Sequence, residues 1–253
     1  MSTVPESSLS ECFEATDAPI IREGEYSRNG EFHRNLDPNW SYYPIYLNKV
    51  ALVDELLHRY GKPGGKTLDA GCGEGVLVEK YAAQGWDIIG VDKNYSSSYV
   101  KQGLLTQLPF EEKTFDQVLC LDVLEHLDFG AQKGALDQIH RVLKPDGTVI
   151  ISIPNLAHFT SRLKFLFRGR LLRTASFSHH PGDRPAMEYE QLIEKRGFKV
   201  EAKYGIFPTV PPFYRMVMRY PSKSVGLLRF LRKIPFPIFW HFQVLFVCRP
   251  IVR

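Results

Sequence analysis

The chain has 253 residues, 44% of them hydrophobic and 24% charged. That size and balance fit one generous α/β domain and exclude a collagen-like, disulfide-scaffold or wholly disordered chain. Formal net charge is +4, but residues 1–159 sum to −9 and residues 160–253 to +13. A basic C-terminal third suits an anionic partner, with a merely solvated basic face as the alternative. The four cysteines, Cys12, Cys72, Cys120 and Cys248, form no CxxC pair, so neither a disulfide framework nor a zinc ribbon is indicated. The start of the chain has neither a basic stretch nor an apolar core, so no signal peptide is expected and a reducing cytosol is the default compartment.

Residues 1–40 are polar and irregular and are expected to form a flexible leader or lid, with 41–253 a single domain. After Pro44, apolar residues at helical spacing predict a helix to about Tyr60, stopped by Gly61 and Pro63. Lys66–Ala70 reads as a short buried strand, then a glycine-rich turn, then a helix over Val76–Gln84. Trp86–Val91, Tyr99–Gly103 and Phe115–Leu121 are further strands. A helix over Ala131–Leu143 meets Lys144-Pro145-Asp146-Gly147, read as a turn into the strand Thr148–Ile153. This alternation predicts a doubly wound, Rossmann-like, mostly parallel sheet with helices on both faces.

Beyond Pro154 come a basic helix over Leu156–Arg170, a loop over 171–186, a helix over Ala186–Arg196 and a strand over Phe198–Tyr204. Residues 206–238, rich in proline, aromatics and arginine, read as a C-terminal insertion. Phe242–Cys248 is the last buried strand. The apolar run Ile234–Cys248 is shorter than the about 20 residues a spanning helix needs, and prolines break it. It reads as a core strand with its entry, an interfacial segment being the alternative.

The strongest motif is Leu68-Asp69-Ala70-Gly71-Cys72-Gly73-Glu74-Gly75, with three alternate glycines between a strand and a helix. Glycine lets backbone take positive φ and approach a ligand closely. The first strand-to-helix turn of a doubly wound sheet is where a nucleotide-like cofactor sits. A dinucleotide fingerprint would need glycine where Val76 stands. Alternate glycines with an acid two residues ahead instead resemble motif I of the class I S-adenosylmethionine-dependent methyltransferases. Asp92, Leu108-Pro109-Phe110, Thr114-Phe115-Asp116 and Val123-Leu124-Glu125-His126-Leu127 follow in family order. So do the run from His140 to Gly147 and Gly197-Phe198. The similarity covers about residues 66–205. It is greatest to the branch holding ubiquinone-pathway and cell-surface glycan O-methyltransferases.

The resemblance implies a seven-stranded sheet with its last strand antiparallel, an N-terminal helical cover, a cofactor half over 62–154 and an acceptor-side half over 155–253. It implies S-adenosylmethionine as cofactor. Asp69, Gly71, Cys72, Gly73 and Gly75 would then shape the pocket for its methionine part. Asp92 would hold the ribose, Lys93 or Asn94 would border the adenine, Leu105 would hold it through backbone, and Leu121 would lie under the sulfonium. Leu104 departs from the family, which often has an adenine-binding acid there. The interval from Asp92 to Phe110 is short, so the second helix is expected to shrink to a turn near Tyr95–Ser98.

A hydroxyl acceptor must lose its proton to a base or a metal. Asp122, Glu125 and His126, spaced i, i+3, i+4, share a face if their turn is helical. His180 lies 18 residues before Phe198, where related enzymes often carry a histidine. Catalysis is therefore expected of His126, Glu125 and His180. With Asp122 they resemble an acid-acid-His-His metal site for Mg2+ or a similar ion, capping and packing being the bland alternative. Trp40, Tyr42 and Tyr43 are candidates to line the acceptor pocket or to pack in the core. His140 reads as structural.

The expected activity is O-methylation of a small, glycan or lipid-linked acceptor of anionic character. A quinone precursor is the alternative acceptor, and a non-catalytic S-adenosylmethionine-binding regulatory module the alternative of another class. Nucleic acid is not expected, because the Asn/Asp-Pro-Pro-aromatic motif is absent. The expected location is cytoplasmic, or peripheral at the inner face of a membrane.

Overall fold

The computed structural model describes residues 21–22, 33–173, 175–176 and 178–251. In chain order they form β1 (Ile21–Arg22), α1 (Tyr43–Tyr60), β2 (Thr67–Ala70), α2 (Val76–Ala82), β3 (Ile88–Asp92), β4 (Tyr95–Ser96), β5 (Val100–Gln102) and β6 (Phe115–Leu121). A 3-10 turn over Leu124–His126 leads to α3 (Phe129–Val142), β7 (Leu143–Pro154), α4 (Phe159–Arg168), α5 (Ala186–Lys195) and β8 (Phe198–Pro208). The chain closes with α6 (Pro211–Arg219), α7 (Val225–Arg232) and β9 (His241–Pro250).

Seven strands share one sheet in the order β5-β3-β2-β6-β7-β9-β8. The first five are mutually parallel, and β9 runs antiparallel between β7 and β8. From β2 the chain winds one way to β3 and β5, then returns to β6 and β7 on the other side. That reversal opens a crevice at the carboxyl ends of β2 and β6, the place where doubly wound sheets bind ligands.

All residues of β2 and β3 are buried, as a parallel strand covered on both faces requires. On one face α3 and α5 bring Leu136, Ile139, Leu192 and Ile193 onto Val118, Val149 and Ile151. On the other, Leu52, Leu56, Val78 and Leu228 of α1, α2 and α7 meet Leu119, Ile150 and Leu245.

Several boundaries differ from the sequence reading for local reasons. α3 starts at Phe129 because the Asp128 carboxylate accepts from the Gly130 and Ala131 N–H groups, both at 2.8 Å. α4 is shorter than Leu156–Arg170: His158 caps its start and Gly169 ends it. Lys144-Pro145-Asp146-Gly147 is not a separate turn. It lies inside β7 as an irregularity, where the pairing steps from Phe115↔Leu143 to Gln117↔Thr148.

No helix separates β3 from β5. Where a turn was expected near Tyr95–Ser98, β4 pairs antiparallel with β1. The 206–238 segment is more ordered than its composition suggested. β8 runs on to Pro208, and α6 and α7 follow. The run from Ile234 enters the sheet as β9, and among the described residues no helix is long and apolar enough to cross a membrane.

Candidate active site

The turn between β2 and α2 occupies the crevice. Gly71 and Gly75 have φ of +83° and +71°. A Cβ on Gly71 would stand 2.5 Å from Val123 on the turn after β6, and one on Gly75 would stand 2.6 Å from Val100 on β5. These positions need glycine both for the left-handed backbone and for the close approach of neighbouring strand ends. The Cys72 side chain packs back on Gly90 of β3. Its backbone N–H and that of Gly71 donate to the Val91 carbonyl, at 3.1 and 2.7 Å.

Asp92 closes β3 and is buried. Its carboxylate accepts from the Gly73 N–H at 3.0 Å and the Asn94 N–H at 2.8 Å, which ties the glycine turn to the strand end. Asp69 is also buried. Burial pushes its carboxyl up to about 7, with Lys49 pulling down and the Asp92 charge adding to the rise. Lys93 is exposed beside them, Leu105 is buried, and Leu121 is half-buried at the end of β6. Two buried acids thus face one glycine turn. That donor set suits a ligand with a positive charge and a vicinal diol, which are the features of S-adenosylmethionine, so the residues fit that cofactor.

Across the crevice Asp122 has φ +56°, an uncommon conformation for a residue with a side chain. Its carboxylate accepts from Lys49 Nζ at 2.6 Å, Tyr42 Oη at 3.1 Å, Ser152 Oγ at 2.5 Å and Gln243 Nε2 at 2.5 Å. Burial alone would push its carboxyl up, but Lys49 and these hydroxyl donors outweigh burial and hold it below the usual range. Tyr42 is driven well above its ordinary value by burial and by the Asp122 charge, so it remains a phenol and donates.

The Leu124–His126 turn carries the remaining groups. Glu125, His126 and His180 place one ligand atom each within 4.8 Å of one another. The two imidazoles meet edge to face at 4.6 Å. His126 Nδ1 lies 3.0 Å from the His179 carbonyl. A carbonyl only accepts, so Nδ1 is the donor in this contact and carries a proton. Glu125 is buried, and burial, then the Asp122 charge, raises its carboxyl well above the usual range.

Asp183, which the sequence reading did not single out, is also buried and stands 3.4 Å from His180 Nδ1. Gln132 of α3 joins the two loops. Its Nε2 donates to the Leu124 carbonyl at 2.8 Å and the Gly182 carbonyl at 2.9 Å.

The expected set of four metal ligands therefore assembles only in part. Asp122 is engaged by Lys49, Tyr42, Ser152 and Gln243 and does not belong to the group of three. One carboxylate and two imidazoles suit Zn2+ or Mn2+ better than Mg2+, which prefers oxygen donors. Lys49 and Gln243 were missed. The signal for Lys49 was its place on the apolar face of α1, four residues from Ile45 and Val53.

Fold and turn together define a class I S-adenosylmethionine-dependent methyltransferase domain. A family model described as a methyltransferase domain matches residues 43–203, and the chain belongs to that family. A probable S-adenosylmethionine-dependent methyltransferase of Mycolicibacterium smegmatis is 32% identical over 62% of this chain, and the alignment spans 60% of that protein. The ubiquinone biosynthesis O-methyltransferase of Acinetobacter baylyi is 28% identical over 69% of this chain and 78% of its own length.

Among solved structures, the PH0226 protein of Pyrococcus horikoshii superposes with TM-score 0.55 at 20% identity, over 90% of this chain and 99% of its own. The [4+2]-cyclase SpnF superposes with TM-score 0.54 at 16% identity, over 80% of this chain and 82% of its own. These superpositions show the fold alone, and SpnF, a [4+2]-cyclase, shows that the fold does not fix the reaction.

Proposed function

We propose that the protein transfers a methyl group from S-adenosylmethionine to a hydroxyl of a small, glycan or lipid-linked acceptor. The carrying observation is the cluster of Glu125, His126 and His180, gathered within 4.8 Å of one another at the turn that follows β6, beside Val123 and the glycine loop. S-adenosylmethionine supplies an electrophilic methyl on a good leaving group, so the protein's task is to position the acceptor and remove its proton. Asp69 and Asp92 orient the cofactor. His126 Nε2 takes the acceptor's proton. Burial and the Asp122 charge hold the Glu125 carboxyl well above the usual range, which favours its neutral form beside the developing alkoxide. The same three residues could instead hold a divalent cation that acidifies the acceptor hydroxyl.

The ubiquinone-pathway names of several relatives favour a second, narrower reading, in which the acceptor is a quinone precursor. Calorimetry with S-adenosylmethionine on wild type and Asp92→Ala tests the cofactor half of the proposal, micromolar binding lost in the variant being expected. Turnover with prenylated and soluble dihydroxybenzenes tests the other half. His126→Ala is expected to bind cofactor normally and lose about a hundredfold or more in kcat, with partial rescue by added imidazole. Full activity in that variant sinks the base assignment. Loss of activity on chelation, restored by Zn2+ or Mn2+, replaces the base by a metal.

A further inference from the structure

We propose that the α4 face is a docking surface for an anionic lipid bilayer. The sequence from Thr160 to Gly182 holds five Lys or Arg and no Asp or Glu. From Ala202 to the C-terminus there are nine Lys or Arg and again no acid, of which Lys203, Arg232 and Arg249 pair with Glu190, Glu55 and Glu201. Within the first of these segments, Phe165, Leu166 and Phe167 are 55%, 73% and 79% exposed. Three consecutive apolar side chains on a short surface helix thus stay largely in solvent. Of α4, only Ser161 is buried.

The face is held in place from beneath. Phe159 packs on Trp240 with ring centroids 4.6 Å apart, and the Arg162 guanidinium covers Phe239 at 5.1 Å. Phe239 is itself 41% exposed. Asn155, just beyond β7, fixes the arrangement. Its Nδ2 donates to the Phe239 and His241 carbonyls, and its Oδ1 accepts from the Ala186 N–H.

The chemistry selects the partner. Exposed aromatic and aliphatic side chains flanked by Lys164, Arg168 and Arg170 match a bilayer's apolar interior and anionic headgroups at once. A single-stranded nucleic acid would use the cations and stack on the rings, but would leave Leu166 without a role. The location fits as well. A groove of about 590 Å3, lined by Ala157, Arg162, Phe165, Leu166, Leu171 and Pro185, starts under α4. Its Pro185 lies two residues beyond Asp183, in the loop that carries His180. The Leu172 N–H donates to Ser161 Oγ at 2.8 Å and binds that loop to α4. Docking by α4 would therefore present the mouth of the candidate site to the membrane. This deepens the proposed reading by choosing the lipid-linked acceptor and rests on it for its purpose, though not for its test.

The test is flotation of the full chain with phosphatidylcholine vesicles, with and without phosphatidylglycerol, in the absence of cofactor and acceptor. Wild type should float only with the anionic vesicles and should be released by salt. F165S/L166S/F167S should lose about tenfold or more in partition, and R168E/R170E about as much. Calorimetry with S-adenosylmethionine on both variants shows that each is folded. It also separates failure of docking from failure of the methyltransferase reading. Absence of flotation by wild type, equal flotation of wild type and the serine variant, or preference for a single-stranded RNA oligonucleotide over vesicles would each overturn the proposal.

Discussion

The two sides of the crevice are built by different means. On the β2–β3 side, backbone does the work: one turn of alternate glycines is held by hydrogen bonds to strand-end groups within about twenty residues of it in the chain. On the β6–β7 side, four side chains from three separate segments converge on one carboxylate. Lys49 lies 73 residues from Asp122, Tyr42 lies 80 and Gln243 lies 121. The first construction tolerates little change of shape. The second tolerates little change of charge.

The largest effect should come from breaking the second construction. Lys49 and Asp122 are nearly buried, with 7% and 20% side-chain exposure. Lys49→Met leaves a carboxylate without its cation and should cost about 3–5 kcal/mol in urea unfolding. Adding Asp122→Asn should recover part of that loss. A cost near zero would show that Tyr42, Ser152 and Gln243 suffice to hold Asp122.

Breaking the first construction should cost less. Gly71→Ala drives a Cβ into Val123 and should destabilise by about 1–3 kcal/mol while weakening cofactor binding. Val123→Ala relieves the collision but not the positive φ, so the double variant should recover only partly. Full recovery would mean that contact alone, not backbone conformation, demands glycine.

A pH titration sharpens the contrast between the two acids. Asp69, raised to about 7 by burial, is protonated in the unliganded protein below that pH. Affinity for a cationic cofactor should therefore fall about tenfold per unit below pH 7, and Asp69→Asn should flatten the profile. The sign for stability is opposite: the native state binds the Asp69 proton more tightly, so the unliganded protein loses stability as pH rises from the ordinary aspartate range to about 7. Asp122, lowered on balance by its cation and hydroxyl donors, contributes stability at neutral pH that is lost as pH falls through its depressed value.

The smallest effect is expected at Arg34. It donates to the Glu74 carbonyl at 3.1 Å and pairs with Glu79 at 2.5 Å, laying the segment before α1 over the helix that follows the glycine turn. The pair is partly exposed, so Arg34→Ala should cost under about 1 kcal/mol by thermal melting. A larger change in cofactor dissociation rate than in stability would assign this segment a covering role.

Much of the fold was legible because its signals are local. Buried strands read as apolar runs, Pro44 and Gly61 bracket α1, and three glycines with Asp69 mark the turn. The glycine turn and the two acids beside it share this property, since the order β2-turn-α2-β3 carries them in sequence. Helices α6 and α7 were not legible, because prolines and arginines mask a periodicity that shows only when Val217, Leu228 and Leu231 find the core. The length of β8 was not legible either, because pairing with β9 extends it past Tyr204.

By itself, then, the sequence determined the sheet, the glycine turn and the acids beside it, because these depend on neighbours a few residues apart. Only the tertiary structure decided that Asp122 belongs to Lys49 rather than to the histidines. It alone brought His180 to His126 across 54 residues through the amide of Gln132. Burial determines which charge must be neutralised and by whom, and burial is a property of the packed chain.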